Sequence, residues 1–215
     1  MKKRYVIFDF DGTLFNTVDD VIINFNRVLK ANGFPTLTRD EYIERLGGNI
    51  DEIVSLILND RNTPENIELI KREYGKLYVD SKKENSKPFP DVLNLLMDLE
   101  RKGVLIAINS NRTTPSIKEF VEKYLSDIDF LEIEGHNLDY PSKPSPFGVN
   151  RIIEKAGVSL DDAIYIGDSK TDIKTAKNAG IDCVIVKWGY GNQKDYENEY
   201  ILGTVDNTSE ILNYF

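Results

Sequence analysis

An apolar run that stops on two carboxylates constrains this chain more than any other feature. Val6-Ile7-Phe8 is built from β-formers and reads as a buried strand. It ends in Asp9-Phe10-Asp11-Gly12-Thr13-Leu14. Two acids at the tip of an apolar strand do not serve burial, because ionised groups resist leaving water. The C-terminal edge of a parallel sheet is where α/β proteins place their chemistry. Asp11-Gly12 also suits a hairpin turn, but the pattern that follows is helical rather than a second strand.

Residues 16–84 show only helical spacing. Val18, Val21, Ile22, Phe25, Val28 and Leu29 share one face, and Gly33 closes the segment. Thr38 and Glu41 form a capping-box signature, Gly47-Gly48 interrupts, and Ile50 to Leu58 resumes the helical period. Thr63-Pro64 opens another helix. Pro88-Phe89-Pro90 then marks a linker. Beyond it helix and strand alternate: helix 91–102, strand 104–108, helix 116–124, strand 130–133, helix 145–156, strand 163–166, helix 170–179 and strand 183–186. A last strand near Val205 and a short helix from Ser209 complete the pattern. Such alternation implies a doubly wound parallel sheet with right-handed crossovers, a Rossmann-like α/β core. The domains expected are a core of residues 1–15 and 88–215 and an inserted helical domain of residues 16–87.

The chain of 215 residues carries a net charge of −9, which argues against nucleic acid, whose backbone demands clustered Lys and Arg. It argues equally against an anionic membrane surface. Lys2-Lys3-Arg4 is basic, but the apolar run behind it stops at Asp9, too short for a signal-peptide core. A cytoplasmic protein is the expectation. The single cysteine, Cys183, lies in an apolar run and reads as a buried small hydrophobe. His136, the single histidine, sits in a polar stretch read as a loop without a second metal ligand.

Three later segments could share the sheet edge with Asp9 and Asp11. Ser110-Asn111-Arg112 offers a hydroxyl and an amide suited to phosphate oxygens, though an ordinary turn and helix cap would look alike. Lys143, set before Pro144, could neutralise a phosphoryl group or an aspartate; a solvated lysine is the bland alternative. Gly167-Asp168-Ser169-Lys170-Thr171-Asp172 puts two more acids where a strand meets a helix. Clustered carboxylates suggest Mg²⁺, a hard ion that prefers oxygen, whereas helix capping would also explain them.

Taken in this order, Asp9-Phe10-Asp11-Gly12-Thr13, Ser110, Lys143 and Gly167–Asp172 resemble the haloacid dehalogenase superfamily over nearly the whole chain. The resemblance implies a phosphatase acting on a small phosphorylated metabolite, with Asp9 as nucleophile, Asp11 as general acid and base, and an aspartyl-phosphate intermediate. It implies Mg²⁺ held by Asp9, Asp11 through its carbonyl and Asp168, with Asp172 either a further ligand or a residue that orients the ligands. Lys143 and Ser110 would hold the phosphoryl group. Gly12, Thr13, Asn111 and Arg112 would join the substrate-binding set, and Gly48 would belong to the specificity loop of a helical cap. Trp188-Gly189-Tyr190-Gly191 resembles phosphoglycolate-phosphatase-like members.

Two positions depart from the family pattern: Asp91, where relatives often carry Gly, and Arg112, where they often carry Lys. A phosphomutase or phosphonatase of the same superfamily is the alternative. Ile50 stands where mutase-like relatives place an arginine, and the cap lysines Lys71 and Lys76 lie on polar faces. A non-catalytic phospho-accepting regulator is disfavoured by Asp11, which such domains lack. The substrate and the oligomeric state are not legible, a monomer being compatible with the sequence.

Overall fold

Tyr5–Phe8 forms β1, every residue of it buried, in a computed structural model that describes residues 2–215. The chain separates into two units, Thr17–Lys87 and the remainder, Met1–Asn16 with Pro88–Phe215. Phe15–Asn16 is extended, so the helical spacing expected from residue 16 begins after it.

The Thr17–Lys87 unit is helical. Helix α1 spans Val18–Ala31, α2 spans Arg39–Ile43, α3 spans Ile50–Leu58 and α4 spans Pro64–Asp80. Thr38 and Glu41 make the expected capping box, and Asn49 with Glu52 makes a second one at α3. Thr63 caps α4, with Pro64 in its first turn. The apolar faces meet around Phe25, Leu29, Tyr42, Val54, Ile57 and Ile70. Tyr74 stacks on Phe25 at 3.7 Å between ring centres, and Tyr78 is buried beside it, so both tyrosines pack. At the entrance to α1 the buried Asp20 carboxylate accepts hydrogen bonds from Asn85 N (3.0 Å), Asn85 Nδ2 (2.9 Å) and Ser86 Oγ (2.6 Å). This ties the first helix of the unit to its exit segment.

The remaining unit carries the sheet. After α5 (Val92–Arg101) come β2 (Leu105–Thr113), α6 (Thr114–Tyr124), β3 (Phe130–His136) and α7 (Phe147–Ala156). Then follow β4 (Ala163–Gly167), α8 (Lys170–Ala179), β5 (Asp182–Val186), β6 (Gly203–Val205) and α9 (Thr208–Ile211). The strand order is β3-β2-β1-β4-β5-β6, and every pairing is parallel. Sheet positions alternate between two cores, which is why these strands read as unbroken apolar runs. Val6, Phe8, Ile106, Ile108, Ile164 and Ile166 face one layer; Tyr5, Ile7, Ala107, Tyr165, Cys183 and Ile185 face the other.

Two elements run longer than the sequence predicts. Strand β2 continues through Ser110, Asn111 and Arg112, where a post-strand loop was expected. Irregular pairing between Asn109 and Thr113 lets it carry polar residues past the apolar stretch. Strand β3 continues to His136, which pairs with Thr113 instead of lying in a loop. Asp91, the N-cap of α5, has φ of 60°, a left-handed conformation that glycine takes more easily. Cys183 is fully buried, and burial pushes its thiol up. Among the described residues no helix is long and apolar enough to cross a membrane.

Asp20→Ala is expected to destabilise the chain by about 1–3 kcal/mol, because Ser86 Oγ stays buried without its acceptor. Denaturant unfolding checks this; an unchanged midpoint would show that the Asp20 contacts contribute nothing.

Candidate active site

Register brings the motifs to one edge. Phe8 pairs with Ile108 on one side and with Ile166 on the other, so the chain leaves β1 and β4 at the same level. Asp9 N–H still donates to Ile166 O at 2.8 Å, and the Asp9 side chain emerges beside Gly167-Asp168. Gly12 has φ of +87°, and a Cβ there would collide with the Asp168 carboxylate. Only glycine allows this turn to lie against the acids.

Lys143 is 5% exposed and sits between two carboxylates. Its Nζ donates to Asp9 Oδ1 and to Asp172 Oδ1, each at 2.7 Å. A third bond of 3.2 Å reaches Tyr165 Oη. Asn111 fixes the lysine backbone from both sides: Lys143 N–H donates to Asn111 Oδ1 (2.8 Å), and Asn111 Nδ2 donates to Lys143 O (3.2 Å). Asn111 therefore spends its amide on holding Lys143.

Asp172 is fully buried. Its Oδ2 accepts from Asp168 N, Ser169 N and Ser169 Oγ at 3.1, 3.0 and 2.9 Å. The residue closes a capping box with Ser169, the N-cap of α8, and accepts from Lys143 at the same time; it is buried, not the solvated first-turn acid that simple capping by Asp168 would leave. Asp168 Oδ2 accepts from Tyr190 N at 2.6 Å. The loop carrying Tyr190 is anchored by Trp188, whose indole N–H donates to Thr13 O at 3.1 Å.

Oxygens of Asp9, Asp168 and Asp172 lie within 4.8 Å of one another, all three residues buried. Three carboxylates against one ammonium leave negative charge in a poorly solvated place. Burial pushes the Asp9 carboxyl up to about 7, against the pull of Lys143 and with help from Asp172. Burial, then Asp172 and Asp9, raise Asp168 well above the carboxylate range. Burial alone would lower Lys143, yet Asp172 and Asp9 hold it well above its ordinary value. The site thus holds a fixed ammonium and protonatable acids, a donor set of hard oxygens that fits a divalent cation. Hydrogen bonds use Oδ1 of Asp9 and Oδ2 of Asp168, which leaves the other oxygen of each for a ligand role.

The other expected residues fall as follows. Ser110 is buried at the same edge, its Oγ accepting from Arg112 N at 3.2 Å. Thr13 is buried, and its Oγ1 has no hydrogen-bond partner. The Arg112 guanidinium lies on Asp11: Nε donates at 3.1 and 2.9 Å to Oδ1 and Oδ2, and Nη2 donates to Oδ1 at 2.7 Å. Gly48 lies in the helical unit, between α2 and α3. Tyr165 was not anticipated. Its hydroxyl accepts from Lys143 and donates to Asn109 O at 2.9 Å, and burial keeps it a neutral phenol. A lone phenol in the aliphatic strand Ala163-Ile164-Tyr165-Ile166 was the available signal.

A family model described as haloacid dehalogenase-like hydrolase matches residues 6–186. Phosphoglycolate phosphatase of Aliivibrio fischeri is 28% identical over 88% of this chain and 86% of its own length. That of Aquifex aeolicus is 28% identical over 87% of this chain and 86% of its own. A solved Bacteroides fragilis structure, provisionally named a haloacid dehalogenase-like hydrolase, superposes with a TM-score of 0.91 at 26% identity. The match covers 98% of this chain and 100% of that one.

The raised Asp9 carboxyl fixes the sign of a pH effect. From about pH 4 to 7 the folded chain holds a proton that the unfolded chain releases. Its contribution is therefore full below the unfolded pKa and is lost as pH rises through about 7. The slope is on the order of 1.4 kcal/mol per pH unit for one proton. In chelator, wild-type melting temperature should fall between pH 5 and 7.5 more steeply than that of Asp9→Asn. Parallel melting profiles for the two proteins would contradict the assignment.

Proposed function

Since the chain belongs to the haloacid dehalogenase-like hydrolases, we propose that it is a Mg²⁺-dependent phosphatase that hydrolyses a small phosphorylated metabolite through an aspartyl-phosphate on Asp9. The relatives named as phosphoglycolate phosphatases make phosphoglycolate the first substrate to test. The observation that carries this reading is the buried Lys143 between Asp9 and Asp172, with Asp168 alongside and Asp11 two residues beyond Asp9.

Phosphoryl transfer needs positioning and charge neutralisation more than covalent help. In the first half-reaction Asp9 attacks phosphorus, the ester P–O bond breaks, and Asp11 gives a proton to the departing oxygen. In the second, Asp11 takes a proton from water as that water attacks the phosphorus. Inorganic phosphate leaves and the Asp9 carboxylate returns. Lys143 neutralises the phosphoryl oxygens, and Ser110 donates a hydroxyl to them. Asp9 and Asp168 would hold the cation, with Asp172 orienting Lys143 and the start of α8. When bound, Mg²⁺ supplies positive charge that favours the ionised acids and offsets repulsion between them and the phosphate.

The test is phosphate release from phosphoglycolate and a panel of phosphomonoesters. Turnover should require Mg²⁺ and vanish in Asp9→Asn. Asp11→Asn should lower kcat by about 10²–10⁴-fold, the usual worth of general acid–base help. Metal-independent turnover, or activity surviving in Asp9→Asn, would sink the reading.

A further inference from the structure

Asp11 sits on a turn with its side chain 30% exposed, whereas the acids around Lys143 are buried. A carboxylate that must serve one oxygen of a substrate and then one water loses rate if its orientation wanders. Arg112 supplies an orientation. Its fork makes three N–H···O contacts with both oxygens of Asp11, the two-point geometry that an arginine offers and a lysine does not.

The arginine is itself immobilised. Its side chain is 9% exposed, and Nη1 donates to Ser116 Oγ at 3.0 Å. The guanidinium carbon lies 5.7 Å from the Phe10 ring centre and 5.5 Å from that of Phe120, in range of attraction to the ring faces. Phe10 separates Asp9 from Asp11 in the chain, so the arginine rests on the turn that carries both acids. Its backbone N–H also donates to Ser110 Oγ at 3.2 Å. One residue therefore connects the hydroxyl assigned to the phosphoryl group with the carboxylate assigned to the leaving oxygen.

We infer that Arg112 is the positioning residue for Asp11: it sets the carboxylate for proton transfer and does not itself bind the substrate. This rests on the acid–base reading of Asp11 given above. The two forms of phosphomonoester that separate the roles are an alkyl ester with a neutral leaving group, which needs a proton to depart, and p-nitrophenyl phosphate, which does not.

Arg112→Met keeps an aliphatic stem against Phe10 and Phe120, and Arg112→Lys keeps the charge without the fork. kcat/KM reports the steps up to leaving-group departure. For Arg112→Met it should fall by about 10²-fold on the alkyl ester and stay nearly unchanged on p-nitrophenyl phosphate. Arg112→Lys should fall between Met and wild type on the alkyl ester. Inhibition by inorganic phosphate should be unaltered in both. Asp11→Asn combined with Arg112→Met should be no slower than Asp11→Asn alone. Equal losses on both esters, weakened phosphate inhibition, or a further loss on top of Asp11→Asn would each overturn the inference. If Asp11→Asn itself fails to discriminate the two esters, the acid–base reading falls and the inference with it. If Asp11→Asn discriminates and Arg112→Met does not, the positioning role alone falls.

Discussion

The buried ammonium of Lys143 is the interaction on which the sheet edge depends. Asp9 and Asp172 approach it at 2.7 Å each, and Asp168 completes a cluster with more acid than base. Removing an unpaired charge from water is costly, and breaking one partner of a buried pair leaves the other uncompensated. Asp9 comes from the end of β1, Lys143 from the loop before α7, and Asp172 from the first turn of α8. The ion cluster therefore fastens three separate segments of the core to one point.

Much of the surrounding structure holds that point steady. Asn111 grips the lysine backbone, Tyr165 Oη accepts from its Nζ, and Tyr190 N–H holds Asp168. The glycine at position 12 lets the turn after β1 lie against Asp168 without a side chain between them. Asp11 stands outside this buried group, on the Arg112 fork. The division is chemically sensible under the proposed mechanism. Groups that hold the phosphoryl charge are fixed in a low-dielectric place, while the group that trades protons with substrate and water stays partly open.

The sequence made most of the core readable because its physics is local. β1 and β4 are fully buried parallel strands, so unbroken apolar runs announced them. The capping box at α2 lies within four residues, and the acids and Lys143 occur in a recognisable order. What a sequence hides depends on distance in the chain. Arg112 and Asp11 are 101 positions apart, and no spacing rule links them. Asn111 looked like a phosphate ligand, whereas its amide meets a backbone 32 positions away. The extension of β2 through Ser110 was hidden because polar residues past an apolar run look like a loop; the regular pairing with β3 breaks after Asn109 and resumes at Thr113. Tyr165 stands out as a lone phenol among aliphatic residues, but its partner, Lys143, lies 22 positions away.

The central claim is that Asp9 becomes phosphorylated. The most direct measurement is rapid acid quenching during turnover of a phosphomonoester with Mg²⁺, followed by mass spectrometry of the peptide containing Asp9. The account predicts a phosphorylated peptide with the modification on Asp9, labile to hydroxylamine, and absent from Asp9→Asn. Steady turnover with the Asp9 peptide unmodified at every quench time, and a phosphoryl group on another residue or on none, would contradict it.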